Sequence, residues 1–208
     1  MKKVVKFGGS SLASAEQFVK VGNIIHADEG RAFVVPSAPG KRYDKDTKVT
    51  DMLYACYALA ERDHNFNAEI AQIEKRYQEI IDGLKLDLDL SPEFDRIIDN
   101  FKRKAGASYA ASRGEYLNGI IMASYLGYEF VDPAEAIRFN EAGMFDAEVT
   151  QALLSKRLEC VERAVIPGFY GAMEDGTVVT FSRGGSDITG SIVAKAIQAD
   201  VYENWTDV

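Results

Sequence analysis

The stretch VVKFGGSSLASAEQFVKVGNIIHADEGRAFVVP, Val4 to Pro36, decides the fold. Val4 to Phe7 is a short apolar strand, Gly8 and Gly9 interrupt it, and Ser14 with Gln17 forms a capping-box pattern that opens a helix running towards Asp28. Phe18, Val21 and Ile25 share one face of that helix. Ala32 to Val35 is a second apolar strand, ended by Pro36. Strand, helix and strand in this order predict a parallel pair of strands joined by a crossover.

Working outward, the polar, lysine-rich loop Ser37 to Val49 is expected to be mobile, and Thr50 to cap a helix reaching about Arg62. From Asn65 to Lys104 apolar residues recur every three or four positions, at Phe66, Ile70, Ile73, Tyr77 and Ile80 and again at Phe94, Ile97, Ile98 and Phe101. Asp82-Gly83 and Ser91-Pro92 punctuate this helical territory, the second as an N-cap and first-turn pair. Ala105 to Leu126 reads as a helix stopped by Gly127, and Tyr128 to Val131 as a return to the sheet. Phe145 to Cys160 is helical, Ala164 to Ile166 a strand, Gly168 to Gly176 a turn, and Thr177 to Phe181 a strand. A helix then starts at Ser186 with Ile188, Ile192, Val193 and Ile197 inside, and Val201 to Trp205 is the last strand. The alternation implies an α/β fold, a three-layer αβα sandwich with a mainly parallel central sheet and functional loops at the carboxyl ends of its strands.

Composition narrows the function classes. With 24 Lys and Arg against 32 Asp and Glu, the formal charge is -8, and no stretch of cations escapes its neighbouring carboxylates. Nucleic acid and acidic membrane surfaces are therefore not expected partners. The densest basic cluster, Lys102 to Lys104, closes a predicted helix, where cations meet the negative end of the dipole. Cys56 lies among apolar neighbours as a small hydrophobe, and His26 and His64 are isolated, so a metal held by protein ligands alone is not expected. The N-terminus lacks the long apolar region of a signal peptide, and no apolar run approaches about 18 residues. A cytoplasmic location follows as the expectation.

The chemistry concentrates in two glycine turns, KFGGSS from Lys6 to Ser11 and SRGGSD from Ser182 to Asp187, each placed where a strand gives way to a helix. Backbone N–H groups released from a strand, with no Cβ in the way and a helix N-terminus behind them, favour an anion. Neither turn fits the Walker or the dinucleotide fingerprint. Two such turns, one led by Lys6 and the other framed by Arg183 and Asp187, point to a polyphosphate and a second small ionic substrate, hence to a phosphotransferase. A strand-end lysine snorkelling to solvent is the alternative for Lys6.

Together with the PSAPG and TDML segments, RGE at Arg113 to Glu115, PGFYG at Pro167 to Gly171 and NWTDV at Asn204 to Val208, these turns resemble the aspartate kinases of the amino-acid kinase superfamily. The match is collinear over the whole chain. The resemblance implies ATP and L-aspartate as substrates, with magnesium accompanying ATP. It implies that Lys6 bridges the phosphates, that Gly8, Gly9 and Ser10 hold the transferring group through their amides, and that Asp187 orients Lys6. It implies that Arg183 grips the substrate α-carboxylate and that Glu115 pairs with its ammonium. Thr50, Phe169, Gly184, Gly185 and Ser186 complete the aspartate side, and Thr206 and Asp207 the nucleotide side. Thr50 could instead serve only as a helix cap, Glu115 as an ordinary helix acid and Phe169 as part of a structural turn. The family continues beyond the WTDV segment, so the chain is expected to be a catalytic domain cut within its nucleotide lobe and to carry no regulatory domain. The last strand would then be an exposed edge able to pair with another chain, which leaves a homodimer open. Rival expectations are a related kinase acting on glutamate, acetylglutamate or a nucleotide, and a non-catalytic aspartate-binding fragment.

Overall fold

A computed structural model describes residues 1–182 and 184–208. Its elements are β1 (Lys3–Phe7), α1 (Ala15–His26), β2 (Arg31–Pro36), α2 (Val49–Glu61), α3 (Asn67–Leu84), α4 (Ser91–Lys102), α5 (Ala107–Leu126), β3 (Glu129–Phe130), α6 (Ala147–Leu158), β4 (Ala164–Val165), β5 (Tyr170–Ala172), β6 (Val178–Thr180), α7 (Gly185–Ala196) and β7 (Val201–Trp205). Five strands form a parallel sheet in the order β3-β4-β2-β1-β7, so β1 lies between β2 and β7. The Val4–Pro36 unit is the predicted crossover, with Ser14 accepting from the Gln17 amide at the start of α1.

Alternation along the strands sorts the core onto two faces. Val5, Phe7, Val34 and Val165 pack with α1 to α5, whereas Val4, Phe33, Val35 and Ala164 pack with α6 and α7. This is the three-layer arrangement read from the sequence, and it sends Lys6, next to Val5 on β1, to the α7 face.

The structure corrects several local expectations. Gly168 to Gly176 is more than a turn: β5 lies inside it and pairs antiparallel with β6 in a separate two-stranded sheet. Lys48, and not Thr50, occupies the N-cap of α2, which places Thr50 inside the first turn. Leu90 takes the N-cap of α4, with Ser91 already helical and its amide held by the Asp89 carboxylate. Helix α3 runs past Gly83 to Leu84 and ends on Lys85 in a left-handed conformation. Ile188, expected inside, is among the exposed apolar residues.

The loop expected to be mobile is tied down. Arg76, buried on α3, donates to the Gly40 carbonyl at 2.7 Å and the Ala13 carbonyl at 3.2 Å, and meets Asp46 at 2.6 Å. Arg42 adds a second guanidinium on Asp46. The two guanidiniums hold the Asp46 carboxyl far below the usual carboxylate range, the Arg42 hydrogen bond being the largest cause.

Candidate active site

The site lies where the carboxyl ends of β1 and β2 meet the amino end of α7. Because β1 points Lys6 at α7, its ammonium reaches the Asp187 carboxylate in the first turn of that helix, Nζ to Oδ1 at 2.8 Å. The lysine side chain is 8% exposed and the aspartate 46%. A nearly buried ammonium needs a partner, and a carboxylate open on one side supplies it while leaving the pair reachable from the cleft.

Beyond Lys6 the first turn closes against the loop after β2. Gly9 has ordinary right-handed angles, so left-handed freedom is not what it provides. A Cβ there would stand 2.8 Å from the Ala38 carbonyl oxygen, and the Gly40 amide donates to the Gly9 carbonyl at 2.7 Å. The Gly8 amide extends the ladder to the Trp205 carbonyl at 3.1 Å. It is therefore not free for an anion, contrary to the sequence expectation, and the candidates are the amides of Gly9 and Ser10 at the start of a short 3-10 turn.

The carboxy-terminal residues cover this turn. Ser10 donates from its hydroxyl to Asp207 Oδ1 at 2.7 Å, the Val208 amide donates to Ser11 Oγ, and Gln17 Nε2 donates to the Val208 carbonyl. A threonine methyl of Thr206 lies 3.8 Å from where a Cβ on Gly8 would be. The predicted nucleotide-side residues thus gather at one place.

A cavity of about 400 Å³ is bounded by Gly9, Ser10, Gly40, Thr50 and Glu115. Gly114 lets α5 approach the loop, since a Cβ would meet that of Ala38 at 2.8 Å, and its carbonyl is fixed by the Tyr77 hydroxyl at 2.7 Å. Glu115 is 6% exposed, and its Oε2 is buried with no hydrogen-bond partner among the described residues. Burial pushes its carboxyl up to about 8, against the opposing pull of hydrogen bonds from the Ala38 and Glu115 backbone and of the Arg113 charge. An acid in that condition is poised to ionise when a cation arrives.

The other wall belongs to the second turn. Gly184 adopts φ +77° at the N-cap of α7, and Gly185 packs on Phe169, whose Cδ2 would lie 2.7 Å from an added Cβ. Phe169 itself has φ +84°, a left-handed conformation that a bulky residue adopts only when its surroundings impose it. They do: its amide donates to Thr189 Oγ1 at 3.0 Å and its carbonyl accepts from the Phe181 amide at 2.8 Å. Phe169, Gly184 to Asp187, Lys6, Ser37 and Tyr54 bound a cavity of about 470 Å³ that shares Ser37 with the first. Arg183 lies outside the described residues.

Three contributors were not foreseen: Ser37 and Tyr54 in the cavity walls, and Asn204, whose Nδ2 donates to Asp187 Oδ1 at 3.0 Å. Tyr54 was within reach of sequence reasoning, four residues after Thr50 on one helix face. Among the described residues no group of three or more His, Cys, Asp and Glu side chains could hold a metal. No helix among them is long and apolar enough to cross a membrane. A groove of about 1000 Å³ beside Arg138, Asp146 and Met173 contains none of the predicted site residues.

Known proteins share this framework. Aspartokinase 3 of Bacillus subtilis is 43% identical over 226 residues, an alignment covering 99% of this chain and 48% of that protein. The crystal structure of the aspartate kinase of Clostridium acetobutylicum superposes with a TM-score of 0.96 at 48% identity, over 100% of this chain and 48% of that one. Escherichia coli aspartokinase III, solved with aspartate and ADP, matches at a TM-score of 0.81 and 23% identity, covering 100% of this chain and 49% of that one, a likeness of fold alone. The chain spans about half the length of some of the curated relatives it matches and 28% of a longer, bifunctional one. The sequence profile of the amino acid kinase family matches residues 1–208, and with a relative of this identity beside it the chain belongs to that family.

Proposed function

We propose that this chain carries the catalytic centre of an aspartate kinase, which transfers the γ-phosphoryl group of ATP to the β-carboxylate of L-aspartate and releases ADP and 4-phospho-L-aspartate. The reaction would open the route to lysine, threonine and methionine, in the cytoplasm. The observation that carries the reading is the 2.8 Å pair between Lys6 and Asp187, which joins the two glycine turns, with the buried carboxyl of Glu115 lining the adjoining cavity across Ser37. The similarity to proteins named aspartokinase supports the choice of substrate.

In this reading the β-carboxylate oxygen forms the new bond to phosphorus while the bond to the ADP oxygen breaks. The attacking group has an ordinary pKa of about 4 and is already ionised at neutral pH, so no base is required. What the site must supply is position and charge. Lys6 sits where charge passes between phosphate oxygens, held there by Asp187, with the Gly9 and Ser10 amides beside it and Gly8 leaving the approach open. Glu115 receives the substrate ammonium, and Arg183 offers a planar fork for the α-carboxylate. Thr50, Phe169, Gly185 and Ser186 shape the aspartate side, while Thr206 and Asp207 contact the nucleotide. Magnesium enters with ATP as part of that substrate, mostly held by phosphate oxygens.

Hydroxylamine trapping tests the reading, because an acyl phosphate is converted to a hydroxamate. The full gene product bearing this sequence should yield hydroxamate only when ATP and L-aspartate are both present. N-acetylated amino acids should fail, since acetylation removes the ammonium that Glu115 would meet. Hydroxamate with N-acetylglutamate, or none with aspartate, would overturn the assignment. A homodimer belongs to the same reading, and light scattering at the mass of two chains checks it.

A further inference from the structure

Asp187 is held from two sides. Its Oδ1 accepts from Lys6 Nζ at 2.8 Å and from Asn204 Nδ2 at 3.0 Å. The two donors are register partners on adjacent parallel strands, Lys6 on β1 and Asn204 on β7, so the sheet itself fixes their separation and aims both at the first turn of α7. Two residues earlier on β7, and hence on the same face, Tyr202 donates its hydroxyl to the Asp187 carbonyl at 3.2 Å. Its ring also fills the space left by Gly190 one turn further along α7, where a Cβ would lie 2.5 Å from the ring and 2.4 Å from its hydroxyl oxygen. Strand β7 therefore grips this turn by its backbone and by its carboxylate.

The carboxylate is nearly half exposed, so a single bond to Lys6 would leave it free to swing about that contact. A second donor removes the swing. Asn204 is exposed and neutral, and its amide gains nothing in the core, which distinguishes it from the packing residues around it. Resting on the proposed kinase reading, we infer that Asn204 is a positioning residue: it fixes the Asp187 carboxylate so that Lys6 is presented to the transferring phosphoryl group, and it acts through Asp187 without touching either substrate.

The test is Asn204→Ala in the full gene product, alone and combined with Asp187→Asn. Loss of one hydrogen bond to a charged group predicts about a tenfold fall in kcat with KM for aspartate within twofold. The melting temperature should stay within about 2 °C, as expected of an exposed site. In the Asp187→Asn background the same change should cost almost nothing further. An independent readout needs no turnover: the side-chain amide resonances of Asn204 should move on Asp187→Asn in the folded chain. A kcat within twofold of the parent, an equal loss in both backgrounds, or Asn204 resonances unmoved by Asp187→Asn would each overturn the inference. Absence of any hydroxamate from the parent enzyme would instead sink the kinase reading, and the resonance experiment would still decide the role of Asn204.

Discussion

Gly9, the second glycine of its pair, and Gly184, the first of its own, each cap the helical turn that follows, yet Gly9 has helical angles and is hemmed in by the Ala38 to Gly40 backbone, whereas Gly184 has φ +77° and among the described residues meets only an Asp187 carboxylate oxygen at 3.8 Å. One glycine allows two pieces of chain to touch. The other allows the chain to turn left and start a helix. The first turn is consequently a joint of the fold as well as a wall of the site, and the second is mainly a platform that lifts Asp187 and α7 to the cleft. A shared GG pair in the sequence thus conceals two physical demands, and four substitutions separate them.

The largest effect belongs to the contact between the turns. Lys6→Ala should lower turnover by roughly 10²–10³, the range for removing one preorganised donor, and steady-state rates at saturating substrate measure it. An unchanged rate would detach the first turn from the chemistry. Next comes Gly9→Ala. The neighbours of the added methyl are backbone atoms that cannot step aside, so chemical denaturation should show a loss of about 1–3 kcal/mol along with weakened activity.

Glu115 sharpens the division between the two halves of the site. Folding raises its carboxyl from an ordinary value near 4.5 to about 8, so the folded chain binds the extra proton between those limits. Its contribution to stability is full below the lower limit and is lost as pH rises through the upper one. Replacement by Gln should flatten the fall in stability across that window. It should also abolish a rise in aspartate affinity of up to about tenfold per pH unit below pH 8, as ionised Glu115 is the form an ammonium requires. Calorimetry with aspartate checks this, and a pH dependence that survives Glu115→Gln would move the ammonium site elsewhere. The smallest effect is expected at Gly184→Ala, about 1 kcal/mol from an alanine forced to positive φ with room around it. A loss at Gly184 exceeding that at Gly9 would reverse the comparison.

Much of this was legible in the chain. Short apolar runs in Val4 to Phe7 and Ala32 to Val35, with a capped helix between them, mark the parallel crossover. The glycine turns stand out because two of them follow strands. Features that depend on register or on distant partners were not legible. Asn204 faces Lys6 only because β7 pairs with β1 in one register, and nothing in the residues around it announces this. The loop after Pro36 looks mobile from its lysines, yet Arg76, more than thirty residues from Gly40, anchors it through a buried guanidinium. The expectation for Gly8 failed because its amide is consumed by the neighbouring strand, while β5 escaped notice because three residues with Gly171 in the middle carry little pattern. Thr50 looked like a cap by its type alone, and the helix simply starts earlier.

The central claim is that the two turns, far apart in the chain, work as one device across a single cleft. A double-mutant cycle on turnover with Lys6→Ala and Asp187→Asn tests it most directly. Joint action predicts that the double variant is no slower than the slower single variant. Losses that multiply would mean that the turns act separately, and the account would be wrong.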